Sequence, residues 1–139
     1  MSSHAAADTA NGRLTTGNRD ADRVLGGGFL RNSVNILMGA PGTGKTLFVE
    51  EMMFANASVE RPALYLTTLS EPLGKVVTYL QKMPFYDAEL LGTAVHYDDL
   101  GAALSAGGVG VLVPHIREVI TTMQPAIIVI DSFRAMHDL

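Results

Sequence analysis

Residues 39–46 read Gly39-Ala40-Pro41-Gly42-Thr43-Gly44-Lys45-Thr46, "GAPGTGKT", set between apolar "VNILM" and "LFVEEMMFA". The spacing is GxxxxGK[ST], the phosphate-binding P-loop, a motif that has meaning only between a strand and a helix. Both flanks fit. "SVNILM" (33–38) is a short β-branched and apolar run that reads as a strand. A helix is expected from Lys45 to about Ala57, with Leu47, Met52 and Phe54 among its apolar positions. Gly39, Gly42 and Gly44 permit the dihedrals that turn consecutive N–H groups inward. Those groups and the start of the helix cradle phosphate oxygens. The nucleotide-binding set is therefore Gly39, Ala40, Pro41, Gly42, Thr43, Gly44, Lys45, Thr46 and Leu47. Lys45 is expected to reach the β and γ phosphates, as a catalytic residue, and the Thr46 hydroxyl to ligate Mg²⁺. A glycine-rich turn that binds nothing is the bland alternative, and the full motif with both flanks speaks against it.

Outward from the loop, the chain alternates. "ALYLTT" (63–68) reads as a strand, and Pro72 opens a helix whose Leu73, Val76, Val77 and Leu80 form one apolar stripe. "TAVHY" (93–97) is a weaker strand. "LGAALSAGGVGVLV" reads as a flexible connector to a helix that starts at Pro114, with Ile116, Val119, Ile120 and Met123 as its stripe. "AIIVID" (126–131) is the most hydrophobic run, suited to a sheet covered on both faces. Ahead of the loop, a helical turn at Asp20–Leu25 and a chain reversal at Gly26-Gly27-Gly28 are expected. The pattern predicts an α/β fold: a mostly parallel sheet with helices on both faces. Residues 1–12 read as a flexible tail and 13–139 as one domain.

A P-loop needs an acid opposite it. Asp131 ends the "AIIVID" run where a parallel strand emerges at the ligand edge, and is assigned to Mg²⁺ through water. Glu71, just past the second strand on the same edge, is the candidate to orient or deprotonate water. Its ordinary reading is a favourable charge near a helix N-terminus, after Ser70 as cap.

Composition sets limits. The chain has 139 residues, 47% of them apolar, enough for one core. A net charge of −4 and only three lysines (Lys45, Lys75 and Lys82) leave nucleic-acid binding possible but unsupported by this segment. The absence of cysteine excludes a disulfide framework and thiolate–zinc chemistry. "MSSHAAADTANG" lacks a secretory apolar core, and no unbroken apolar run approaches the roughly 20 residues of a bilayer span. A cytoplasmic protein without a membrane partner is expected. A GTPase is disfavoured, since no NKxD segment occurs and Asp131-Ser132-Phe133-Arg134 lacks the glycine of a DxxG switch.

With these residues placed, the chain resembles the RecA-like P-loop ATPases, KaiC/RadA-like group. "TTGNRDADRVLGGGF" is similar to that group's lead-in segment, "GAPGTGKT" to its Walker A, "LYLTTLSEP" to its second strand and following acid, and "IIVIDS" to its Walker B. The resemblance covers about residues 13–139. It implies ATP and Mg²⁺ as cofactors, a homo-oligomeric ring or filament, and a strand between the P-loop strand and the Walker B strand that arrives later in the sequence. KaiC-type domains carry two adjacent glutamates where "LSEP" offers one. The resemblance also implies roughly a hundred further residues beyond Walker B, whereas this sequence ends eight after Asp131, so an apparently truncated core is expected. Two functions follow: Mg-dependent ATP binding with ATP hydrolysis, or a nucleotide-binding regulatory or assembly module with little turnover.

Overall fold

The computed structural model describes residues 12–68 and 72–131. In chain order these form β1 (Arg13–Leu14), α1 (Arg19–Val24), β2 (Phe29–Leu30), α2 (Lys45–Asn56), β3 (Ala63–Thr67), α3 (Leu73–Leu80), β4 (Val95–Asp99), α4 (Gly101–Met123) and β5 (Ile127–Asp131). The last three strands make one parallel sheet in the order β4-β3-β5, with Thr67 in register with both Asp99 and Asp131. All three therefore end at one edge. The α/β architecture expected from the sequence is present.

Strand alternation sorts the core into two layers. Ala63, Tyr65, Val95 and Ile127 face α2 and α3, where they meet Met53, Phe54 and Leu80. Leu64 and Leu66 face the other way and pack with Leu100, Leu104 and Leu112 of α4 and its approach. The helices lie on opposite faces because the two crossovers run in opposite directions. From β3 the chain steps outward to β4, then returns across β3 to β5, and right-handed crossovers put the connecting helices on opposite sides.

The lead-in segment buttresses the P-loop helix. Asn18 caps α1 by accepting from the N–H groups of Asp20 and Ala21. Asp22 accepts from the Thr15 hydroxyl and from both the N–H and the hydroxyl of Thr16. Burial opposes its ionisation, but these three donors outweigh it and hold the carboxyl below its usual range. Asn56 at the end of α2 donates to the carbonyls of Thr15 and Met52, tying the segment to the helix. Phe29 meets Phe48 edge-on at 6.1 Å. At Gly28, φ is +106° and an added Cβ would lie 2.0 Å from the Leu14 carbonyl oxygen, so only glycine closes the β1–β2 pair. Asp22→Asn should cost on the order of 1 kcal/mol in urea unfolding, because charge-assisted bonds become neutral ones. An unchanged midpoint would deny the carboxylate this role.

Several sequence expectations need correction. Residues 33–38 form no strand: Val34, Ile36 and Met38 are 93%, 81% and 86% exposed, and no ladder includes them. Strand preference is expressed only against a partner, and the neighbour of β5 is β3. No described residue fills the position expected between residues 33–38 and β5. The "AIIVID" run is accordingly half-covered at the sheet edge, with Ile128 39% exposed. The connector read as flexible is helical: α4 begins at Gly101 and is broken only at Gly107 and Gly108, whose φ/ψ are non-helical. α4 has 23 residues and a mean hydropathy of 1.2 over an 18-residue window, sufficient by length and composition to cross a membrane although no unbroken apolar run is that long. The α3 stripe is borne out at Leu80 and Val76, while Leu73 is exposed. The third strand lies two residues later than read, at 95–99.

Candidate functional site

The P-loop closes on itself and on the end of β5. Gly44 takes φ +87° and caps α2 with no side-chain bond, leaving the first N–H groups of the helix at its open end. A Cβ on Gly39 would stand 2.9 Å from the Thr43 hydroxyl, so a larger residue there would make the Thr43 side chain shift. Thr43 donates from its hydroxyl to the Ala40 carbonyl at 2.8 Å. Lys45 reaches back along the loop, and its ammonium donates to the carbonyls of Gly39 and Ala40, each at 2.9 Å. Residues 39–44 are exposed, and Pro41 and Gly42 lie at the outer turn. Leu47 is half-buried one position into the helix after Thr46.

Thr46 donates to Oδ2 of Asp131 at 2.8 Å, although the two residues stand 85 positions apart. Of the sequence-predicted residues, Thr46 and Asp131 are thus brought together at the end of β5. Glu71 lies outside the described residues, as do Ser132 and Arg134.

Three polar residues that the sequence reading missed lie beneath this contact. Tyr65 of β3 donates its phenol to the same Asp131 Oδ2 at 2.5 Å. Its ring lies 5.1 Å from that of Tyr97, its ladder partner on β4. Tyr97 in turn donates to Oε1 of Glu50 at 3.3 Å. Glu50 is 3% exposed, and its Oε2 finds no hydrogen-bond partner among the described residues. Burial pushes the Glu50 carboxyl up to about 7, the Tyr97 bond opposing and the Asp131 charge adding. Burial raises both phenols too, so Tyr65 and Tyr97 stay protonated donors. Helical spacing was the available signal: Thr46, Glu50 and Met53 fall at i, i+4 and i+7, one stripe running from the loop into the core.

An open cleft of about 300 Å³ lies beside the site at the ends of β3 and β4, lined by Thr67, Pro72, Leu73, Val76, Tyr97, Asp98 and Asp99. Its two carboxylates disfavour phosphate there, so the anion side of the site is the loop. Among the described residues no group of three or more His, Cys, Asp or Glu is placed to hold a metal by itself. Thr46 and Asp131 nonetheless suit a hard cation: both offer oxygen, and Mg²⁺ is commonly held by one or two protein oxygens plus waters and substrate phosphates.

Comparison with known proteins gives the family. Residues 14–139 match the family model described as "ATPase: KaiC". The DNA repair protein RadA of Mycobacterium tuberculosis is 31% identical over 121 residues, 87% of this chain and 22% of that protein. RadA of Pseudomonas aeruginosa is 44% identical over 55 residues, 40% of this chain and 12% of that protein. The circadian clock protein KaiC3 of Synechocystis is 51% identical over 41 residues, 30% of this chain and 8% of that protein. The chain thus spans less than a quarter of the length of these relatives. A P-loop whose threonine meets the acid at the end of β5, within a family match over nearly every residue, leads to one conclusion: this chain belongs to the KaiC family of RecA-like, ATP-binding P-loop ATPases.

Proposed function

We propose that the chain binds ATP with Mg²⁺ at residues 39–47 and 131, and hydrolyses it. The observation that supports this reading is the 2.8 Å contact between Thr46 and Asp131, which sets the P-loop threonine against the acid at the end of β5. The loop amides and the open end of α2 would hold the phosphates. Lys45, now resting on its own loop carbonyls, supplies the mobile charge for the β and γ phosphates. Mg²⁺, when bound, neutralises charge that develops on the phosphate oxygens. Thr46 and Asp131 would hold it, and Glu71 would orient water.

Asp131→Asn should weaken the Mg²⁺ dependence of ATP binding about tenfold or more, while binding in EDTA is nearly unchanged. Titrating Mg²⁺ at saturating ATP and following the melting temperature checks this. Equal Mg²⁺ midpoints in the two proteins would remove Asp131 from the metal site.

A second reading, a nucleotide-binding regulatory or assembly module with little turnover, draws support from the exposure of residues 39–44. Water reaches such a loop freely, so tight transition-state binding would need a second wall. A neighbouring copy in a ring or filament would supply it, and a cytoplasmic setting would supply ATP and Mg²⁺. Nucleic acid remains a candidate partner through the RadA likeness alone. Steady-state phosphate release from the chain and its Glu71→Gln form separates the two readings. Equal, negligible rates with intact ATP binding would favour the module.

A further inference from the structure

We propose that Tyr65 is a positioning residue for the metal-bearing carboxylate: its phenol anchors Asp131, so that Thr46 can release it to a cation without the carboxylate turning away. This rests on the assignment of Thr46 and Asp131 to Mg²⁺ given above.

The argument starts from the ladder. Tyr65 pairs with Val129 and Thr67 with Asp131, so Tyr65 and Asp131 stand two positions apart on one face of neighbouring strands. That diagonal is within reach of an aromatic side chain and too long for a short polar one. A tyrosine spans it with its hydroxyl at the far end, and the hydroxyl lands on Oδ2 of Asp131. Tyr65 is only 5% exposed, and Tyr97 lies against its ring at 5.1 Å with the ring planes 33° apart. The phenol is thus confined beside Asp131, with the Thr46 hydroxyl as its other close polar neighbour.

Oδ2 of Asp131 accepts from two hydroxyls of different kinds. Thr46 belongs to the P-loop helix and is exposed, and its oxygen is the one assigned to the cation. If Thr46 leaves for a metal, a half-buried carboxylate at the end of β5 would be free to rotate about its own bonds. The buried phenol of Tyr65 prevents this. Partners of this type, which touch the ligand and not the metal, change metal affinity by about 10–100-fold when removed. Nothing in the P-loop motif itself requires a tyrosine at this position.

The test uses the full chain, its Tyr65→Phe, Tyr97→Phe and Asp131→Asn forms, saturating ATP, and the melting temperature across a Mg²⁺ titration with an EDTA baseline. Tyr65→Phe keeps the ring and loses only the hydroxyl. The expected result is an unchanged ATP-induced shift in EDTA and a Mg²⁺ midpoint raised about tenfold. Tyr97→Phe, which keeps the stacking and loses the Glu50 bond, should match the parent chain. An unchanged or lowered midpoint in Tyr65→Phe, with a raised one in Asp131→Asn, overturns the role of Tyr65 and leaves the metal assignment standing. An equal rise in Tyr97→Phe overturns it as well, since general loosening of the core would then be the cause. If the parent chain shows no Mg²⁺ dependence, the metal assignment falls and takes the role of Tyr65 with it.

Discussion

Heated with saturating ATP and Mg²⁺, the Lys45→Ala protein should melt at the temperature it shows without nucleotide, whereas the parent chain gains several degrees. A ligand at a hundred times its dissociation constant stabilises the folded state by about 2.7 kcal/mol, which for a domain of this size is several degrees in the midpoint. Lys45 contributes twice over. Its ammonium is the single fixed positive charge of the loop, and its bonds to the Gly39 and Ala40 carbonyls fold the loop back toward the start of α2. Alanine removes the charge and the tether together. The nucleotide-free melting temperature should hardly move, because the loop is exposed and its bonds compete with water. A full ATP-induced shift in Lys45→Ala would place nucleotide binding elsewhere in the chain. Loss of the shift in Lys45→Arg as well would show that the position, and not only the charge, is exacting.

What could be seen in the sequence was whatever depends on local chemistry. Glycine and lysine spacing marked the loop, and α2 begins at Lys45 as expected. The unbroken apolar run marked β5, and Asp131 stands at its end beside Thr46. What could not be seen depends on partners remote in the chain. "SVNILM" has the residues of a strand, yet it pairs with nothing among the described residues, because a ladder is a property of two segments. The two-residue β1–β2 pair is too short for any periodicity to announce it, and it exists because Gly28 lets the backbone approach Leu14. In α4, glycines 107, 108 and 110 looked like a flexible run. The helix instead forms on both sides of one break, anchored by Leu104 and Leu112 in the α4-side core.

The polar chain beneath the site was only half legible. Glu50 shares a helical stripe with Thr46 and Met53, but its immediate neighbours Val49 and Glu51 do not distinguish it from an exposed helix acid. Only the sheet decides that it points inward, because α2 must lay the face shared by Thr46 and Met53 over β3 and β5. The consequence is an acid held where its charge is poorly solvated, linked through Tyr97 and Tyr65 to the carboxylate at the mouth of the P-loop.

That placement predicts an inverted pH dependence for this one group. An acid raised by folding binds a proton in the folded chain that the unfolded chain has already released. With an ordinary value of 4.5 and a folded value of about 7, Glu50 adds no penalty below pH 4.5, where both states are protonated. From there to about pH 7 stability falls as pH rises, and above pH 7 the whole penalty is present. At 1.36 kcal/mol per unit, it is on the order of 3 kcal/mol. Glu50→Gln, which cannot ionise, should therefore unfold in urea with a stability similar to the parent at pH 5 and higher by about 2–3 kcal/mol at pH 8. A neutral amide still accepts the Tyr97 bond, so the difference isolates the charge. Parallel curves for the two proteins between pH 5 and 8 would mean that Glu50 is ionised in the fold throughout, and that water or a cation reaches its unpartnered Oε2.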